Sequence, residues 1–129
     1  MMVTQITKGI KISVETEYES SFYKQRKLHY SYKYSVKIEN QSKEIVKLNS
    51  RHWIILDSLS NKKNINGEGI IGEKPILKPR SSHTYSSVCH LASTFGSMYG
   101  FYRMINLNSK KIFKVDIPVF RLNAPFSLN

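Results

Sequence analysis

The sequence of 129 residues has one cysteine, nine acidic residues and no long apolar run, and each shortage excludes a class of protein. A single cysteine, Cys89, cannot form an internal disulfide, which fits a reducing compartment and predicts a cytoplasmic location. No apolar run approaches the roughly 18 residues of a membrane-spanning helix, and residues 1–8 lack the apolar core of a signal peptide. We therefore expect no membrane insertion.

The sequence also lacks any long window in which apolar residues recur at the helical spacing of about 3.6 residues. Apolar residues recur with a period of two instead. From Leu28 to Asn40, apolar side chains alternate with polar ones, and residues 10–18 repeat the pattern. Successive side chains of a strand point to opposite faces, so each run predicts a strand with one buried face and one solvent-exposed face.

This alternation, interrupted by turn-forming residues, predicts about seven strands. They cover residues 10–18, 28–40, 44–56, 67–72, 82–90, 97–106 and 111–120. Between them the pattern predicts a loose lead-in at 1–9, polar connections at 20–27 and 58–66, a hairpin turn at 40–43 and a bulge at 49–50. Short strands without repeats or linkers predict one all-β domain spanning 1–129, a sandwich of immunoglobulin or fibronectin type.

A net charge of +11 raises the question of nucleic-acid binding, but the charge is spread along the whole chain. Residues 1–64 carry 12 basic and 6 acidic groups, and residues 65–129 carry 8 and 3. Only five of the 20 basic residues are arginine, whose planar guanidinium donates paired hydrogen bonds to bases and phosphates. We interpret the charge as a solvated lysine-rich surface and expect no specific nucleic-acid partner.

Three glycines, Gly67, Gly69 and Gly72, have the spacing of a dinucleotide-binding loop. Such a loop needs a strand before it and a helix after it, whose N-terminus holds the pyrophosphate. The sequence supplies no helix there, because Pro75 follows closely. We expect the three glycines to serve backbone geometry, so that valine at any of them lowers thermal stability. Binding of a phosphate-bearing metabolite by residues 67–72 stays open as an alternative.

Metal ligation or catalysis would draw on the histidines and on the acidic and thiol side chains. The candidates are His29, His52, His83, His90, Cys89, Asp57 and Asp116. No pair of them has the spacing of a structural zinc site, so we expect no metal site and no cofactor. A nucleophile with its base and orienting acid is not evident either. The sequence thus predicts no catalytic residues and a protein that is not an enzyme, with an unrecognised hydrolase as a distant alternative.

Four segments, in order, resemble the ApaG family: residues 51–55 (RHWII), 67–79 (GEGIIGEKPILKP), 96–104 (GSMYGFYRM) and 116–122 (DIPVFRL). The likeness runs from about residue 7 to the C-terminus. Two loop positions depart from the family pattern. Arg80 stands where the family usually has glycine and Phe95 where it usually has proline, which affects the expected turn geometry rather than the resemblance.

The resemblance implies a fibronectin type III-like sandwich of two antiparallel sheets, in agreement with the strand count. It also implies an association with cobalt resistance and magnesium efflux. A chain without a membrane span can affect efflux only indirectly, so the leading hypothesis is a non-enzymatic module that binds a protein partner. The sequence names neither the partner nor any catalytic residue to carry over from the family.

Overall fold

A computed structural model describes residues 2–58, 62–70 and 72–126, and the regular elements in these ranges are all β-strands. The strands are β1 (Met2–Thr7), β2 (Ile10–Lys24), β3 (Lys27–Asn40), β4 (Val46–Asp57), β5 (Lys63–Glu68), β6 (Ile76–Leu77), β7 (Ser82–Leu91), β8 (Phe95–Asn106) and β9 (Ile112–Asn123). The described part of the chain contains no helical segment with the length and hydropathy that a membrane crossing would require.

The strands form two antiparallel sheets packed face to face. The first sheet has the order β1-β2-β3-β7, and the second has the order β5-β4-β8-β9, with β6 paired to β4. The predicted all-β sandwich without a disulfide is confirmed. The described residues hold nine strands rather than about seven. Strands β1, β5 and β6 were predicted as lead-in or connection. Of the strand predicted at 67–72, only Gly67 and Glu68 lie in a strand among the described residues, at the end of β5.

The alternation in β3 places its residues as predicted. Tyr32, Val36 and Ile38 are buried between the sheets, whereas Lys33 and Lys37 are exposed on the outer face. The predicted bulge in β4 is also present, since its register with β8 shifts between Leu48 and Ser50. Placing apolar side chains on one face of each strand removes them from water, which is the main driving force for folding.

The first residues are not a loose lead-in, because β1 pairs with β2 from Met2–Glu15 to Thr7–Ile10. The predicted connection at 20–27 is also wrong. Strand β2 continues to Lys24, which pairs with Lys27 across a turn of two residues. Gln25 and Arg26 have φ angles of 53° and 66°, as a tight hairpin with strand-matched twist requires. Neither residue type signals such a turn, so the sequence pattern missed it.

The predicted hairpin at 40–43 is a crossover instead, because β3 and β4 belong to different sheets. Asn40 is fully buried and holds this corner. Its Nδ2 donates to the carbonyl oxygens of Glu44 (2.7 Å) and Leu77 (2.9 Å), and its Oδ1 accepts from the N–H of Ser42 (3.0 Å). A side chain rather than strand pairing thus satisfies the polar groups of the turn.

Arg80 adopts the backbone conformation that glycine would adopt with less strain. Its φ is 69°, in the left-handed region, and its N–H donates to the carbonyl oxygen of Asn40 at 2.7 Å. The departure from the family pattern at this position therefore leaves the turn intact at the cost of local strain.

One side of the sandwich is closed by contacts between the sheets. There β1 and β2 approach β9, Thr16 Oγ1 donates to the carbonyl oxygen of Arg121, and the N–H of Asp116 donates to Thr7 Oγ1, both at 3.3 Å. The opposite side is bordered by β7 of the first sheet and β5 of the second. A cleft lies between these two edges, and it is the candidate site.

Candidate functional site

The cleft between β7 and β5, here called the edge cleft, has a volume of about 330 Å³. Its deep wall is formed by the buried side chains of Tyr34, Trp53 and Cys89, and its rim includes Arg51 and Lys63. Trp53 is fixed in position by edge-to-face contact with Tyr34, the ring centroids being 5.4 Å apart. The edge cleft therefore combines a deep wall that contains two aromatic rings with a basic rim.

Both strands that border the edge cleft are edge strands. In the described part of the chain, β7 pairs only with β3 and β5 pairs only with β4. An edge strand presents a row of N–H and C=O groups that point away from its sheet, and these groups can pair with an added strand. The site therefore offers main-chain hydrogen bonds beside side-chain contacts.

Arg51 is positioned by the end of β5 and by the residue that follows it. Its Nη1 donates to the carbonyl oxygens of Glu68 (2.9 Å) and Gly69 (2.8 Å). The guanidinium lies against Gly67, where a Cβ atom would approach Arg51 Nη2 to 2.6 Å. Gly67 and Gly69 thus both lie beside the guanidinium of Arg51. The backbone geometry there accommodates this cation rather than a phosphate.

Three main-chain amides of the glycine segment, those of Gly69, Ile70 and Glu73, are already engaged. The N–H of Gly69 donates to the carbonyl oxygen of Asn49 (2.8 Å), and Ile70 and Glu73 exchange hydrogen bonds at 2.6 and 2.9 Å. The carbonyl oxygens of Glu68 and Gly69 point at a guanidinium. A phosphate needs a row of outward N–H groups, so these contacts disfavour the nucleotide interpretation of Gly67, Gly69 and Gly72. Gly72 has a φ of 76° and takes no part in seating Arg51.

The basic charge of the rim is not neutralised by a carboxylate in the described residues. The two ion pairs found there are Lys37–Glu39 at 3.7 Å and Lys74–Glu68 at 3.0 Å, and neither includes Arg51 or Lys63. Burial raises the pKa of Tyr34, and a hydrogen bond with Ser87 and, to a smaller extent, the charge of Arg51 oppose that rise. A fixed, unneutralised cation beside an apolar wall favours an anionic ligand group.

Cys89 lies on the inner face of β7 and is not a reactive thiol. Burial raises its pKa from the ordinary 9.0 to about 11, while the nearby charge of Lys63 acts in the opposite direction. At neutral pH the thiol therefore stays protonated and is a poor nucleophile. The same effect acts on Tyr32, whose pKa burial raises to about 12.

We expect stability to fall in alkaline solution because these groups are held neutral in the fold. Each folded pKa is above its unfolded value, so the stabilisation is complete below pH 9 and is lost as pH rises through about 11 for Cys89 and about 12 for Tyr32. Urea unfolding between pH 7.5 and 11 should show a steady free energy up to about pH 9, then a decline. Cys89→Ala should flatten the first part of that decline, and constant wild-type stability to pH 10.5 would contradict the argument.

The four histidines lie at three places. His83, on β7, is near Tyr85, with ring centroids 6.4 Å apart. His29 stacks on Phe22 at 5.4 Å, and His90 contacts the same ring edge-on at 4.9 Å. His52 stacks on Phe101 at 4.5 Å on the outer face of the second sheet, and its Nδ1 lies 2.8 Å from Asn66 Oδ1. Residues 2–58, 62–70 and 72–126 contain no group of three His, Cys, Asp or Glu side chains placed to hold a metal.

The acidic candidates are likewise separate. Asp57 accepts hydrogen bonds from the N–H of Ala92 at 2.7 Å and from Ser93 Oγ, at the end of the sandwich. Asp116 lies on the exposed face of β9. The structure therefore does not join the sequence candidates for metal ligation or catalysis into one site.

Sequence reasoning missed Arg51 and the edge cleft. Arg51 alternates with Trp53 and Ile55 on the inner face of β4, and the register pairs it with Gly67. The available signal was a basic residue at the same alternate positions as the buried Trp53 and Ile55. The residue beside it in the next strand is a glycine. This signal was not recognised because β5 had been predicted as a polar loop.

Comparisons with known proteins give a consistent result. A family model described as the ApaG domain (DUF525) matches residues 20–106. The chain is 40% identical to "Protein ApaG" of Beijerinckia indica over 134 residues, covering 98% of this chain and 96% of that protein. It is 40% identical to "Protein ApaG" of Brucella anthropi, covering 96% and 95%. An X-ray structure from the Northeast Structural Genomics Consortium superposes with a TM-score of 0.87 at 34% identity, covering 93% of this chain and 90% of that one.

Proposed function

Because the chain belongs to the ApaG family, we propose that it is a non-enzymatic binding module that contributes to cobalt resistance and magnesium efflux through a protein partner. It acts as a single domain in the cytoplasm. The link to these cations rests on the family resemblance. The partner role rests on the open edge of the sandwich.

The observation that carries the proposal is the pair of free strand edges, β7 and β5, on either side of one cleft. Val88 and Ile65, which border this opening, remain 48% and 39% exposed, although they are apolar. Exposed edges with apolar side chains carry a risk of aggregation unless a partner covers them. A binding surface explains why this side is open while β9 closes the other side.

The side chains nearest this surface also favour binding over catalysis. The Cys89 thiol is held protonated by burial, and Arg51 is held by two carbonyl oxygens. Neither group has a general base positioned beside it by the contacts described above. The arrangement recognises a ligand and does not activate a nucleophile.

The proposal is tested in a bacterial strain that lacks its own ApaG gene and is grown in graded cobalt. We expect the wild-type chain to restore growth. The test variant is Val88→Pro with Ile65→Pro, which interrupts both free edges; Val119→Pro on the other side of the sandwich is the matched control. Restoration by the control but not by the test variant supports the proposal, provided that both purified proteins are folded. Equal restoration by all three chains would refute it.

We predict that cobalt and magnesium are not bound tightly by the chain itself, since the histidines are dispersed over both sheets. Isothermal titration of tag-free protein with cobalt should give at most weak heats that added salt suppresses. His52→Ala and His90→Ala should leave these heats unchanged. Saturable binding below about 1 μM, a free energy of about −8 kcal/mol, would show a direct role for the metal.

A further inference from the structure

The geometry points to a specific ligand for the edge cleft: we propose that it binds an extended acidic segment of a partner protein, added as a strand beside β7. This inference deepens the proposed function, because it names the chemistry of the partner at the same site. It follows from the free edge, the alternation of side chains and the order of charges along the cleft.

The edge of β7 determines where the segment lies. Its ten residues form the last strand of the first sheet among the described residues, and an added strand would lie about 4.8 Å farther out. Ser87 and Cys89 occupy the inner face of β7, opposite Tyr34 and Tyr32 of β3. Every second side chain of an added strand would share that face and enter the edge cleft.

The opposite wall determines which side chains fit. Along β4, Arg51, Trp53 and Ile55 face inward in turn. The register places Gly67, Ile65 and Lys63 of β5 beside them. The cleft thus presents a cation at one end, apolar Trp53 and Ile65 in the middle, and a cation at the other end.

The spacing of these features matches an extended chain. Ile55, the partner of Lys63, comes four residues after Arg51, and four steps of about 3.3 Å along a strand span about 13 Å. The first, third and fifth residues of a bound strand span the same length. The cleft therefore selects the pattern acidic–x–apolar–x–acidic, in which x is any residue that faces solvent.

Arg51 supplies most of the selectivity because it is already in place. Two carbonyl oxygens hold Nη1, so little side-chain freedom is lost when a carboxylate binds to the remaining donors. No carboxylate of the described residues lies within 4.0 Å of Arg51 or Lys63, so a ligand carboxylate would displace none of these carboxylates. Hydrogen bonds between charged partners are the stronger class.

The test uses the full chain and fluorescein-labelled peptides. The probe is Ser-Thr-Glu-Thr-Leu-Thr-Glu-Thr-Ser, which reads the same in both directions and so does not require the strand direction to be known. One control replaces both glutamates with glutamine. A second, Ser-Thr-Thr-Glu-Leu-Glu-Thr-Thr-Ser, keeps the composition but moves the glutamates to the face opposite leucine. Fluorescence anisotropy should show saturable binding of the probe and at least about tenfold weaker binding of each control.

Protein variants locate the site. Lys63→Met and Arg51→Met should each weaken probe binding about fivefold or more, as expected for loss of a charged hydrogen bond. Lys62→Met, one residue before β5 begins, is the matched control and should change binding less than about twofold. Lys63 is exposed, so its variant keeps the test valid if Arg51→Met lowers stability.

Strand addition makes a separate prediction about the peptide backbone. Only alternate amides of an added strand pair with β7. Methylating the backbone nitrogens at one set of alternate positions should abolish binding, and methylating the other set should preserve it. Equal tolerance of both sets, or equal binding of the glutamine peptide, would overturn the proposal.

The two proposals fail differently. If no peptide binds but the wild-type chain still restores growth in cobalt and the double proline variant does not, the ligand chemistry is wrong and the partner function stands. If the probe binds as expected but the wild-type chain restores no growth, the cleft recognises acidic segments and the link to cobalt is wrong.

Discussion

Replacing Trp53 with alanine is expected to lower the free energy of unfolding by about 3–5 kcal/mol. The side chain is 3% exposed and lies between the sheets, with ring centroids 5.4 Å from Tyr34 and 5.8 Å from Phe120. Its removal leaves a cavity that the surrounding side chains fill only partly. Urea unfolding followed by circular dichroism measures the change.

Two variants make this measurement interpretable. Trp53→Phe should lower the free energy of unfolding by less than Trp53→Ala does, because it keeps an aromatic ring in contact with Tyr34. Tyr23→Ala removes a ring that is 77% exposed and should change the free energy by less than about 0.5 kcal/mol. A loss below about 1 kcal/mol for Trp53→Ala would mean that Trp53 does not lie in the core, and the packing of the two sheets would need revision.

The parts of the fold that follow from local pattern were predictable. Strands β3, β8 and β9 have one buried face and one face that is exposed or half-buried, and a period of two shows this alternation directly in the sequence. The bulge at residues 49–50 was also predictable, since Asn and Ser interrupt an apolar run there. Whether a residue of these strands is buried depends on the polarity of its side chain, which can be seen in the sequence.

The parts that depend on pairing were not predictable. Strand β5 has a mostly exposed polar sequence and exists because the central strand β4 offers it a free edge. Strand β1 is held by β2 in the same way. The turn at Gln25 and Arg26 needs two positive φ angles, which no glycine or asparagine announces. Long-range pairing overrides local propensity in each case.

The candidate site was missed for the same reason. Arg51 is recognisable as a binding residue only when Gly67 is known to lie beside it in the next strand. That the three glycines serve backbone geometry rather than a phosphate loop remains a prediction. It is supported at Gly69, whose N–H donates to the carbonyl oxygen of Asn49. What the sequence could not show is that two of them position a cation.

The three glycines are expected to respond differently to alanine, and the differences separate the fold from the site. At Gly69 a Cβ would lie 2.1 Å from the carbonyl oxygen of Glu73, and φ is 55°. Left-handed strain of about 1–2 kcal/mol and overpacking of about 1–3 kcal/mol together predict a loss of about 2–5 kcal/mol for Gly69→Ala. At Gly72 φ is 76° but nothing lies within 4 Å, so strain alone predicts about 1–2 kcal/mol.

Gly67→Ala is expected to damage the site more than the fold. Its Cβ would meet the guanidinium of Arg51, at 2.6 Å from Nη2, rather than main chain. A side-chain end can move away, so the loss of stability should stay within about 1 kcal/mol, in the usual range of point mutants. The displaced Arg51 should weaken binding of the acidic peptide about fivefold or more. The test is thermal unfolding and peptide anisotropy measured on all three variants. If Gly67→Ala binds the peptide like the wild type, the position of Arg51 in the edge cleft does not depend on Gly67.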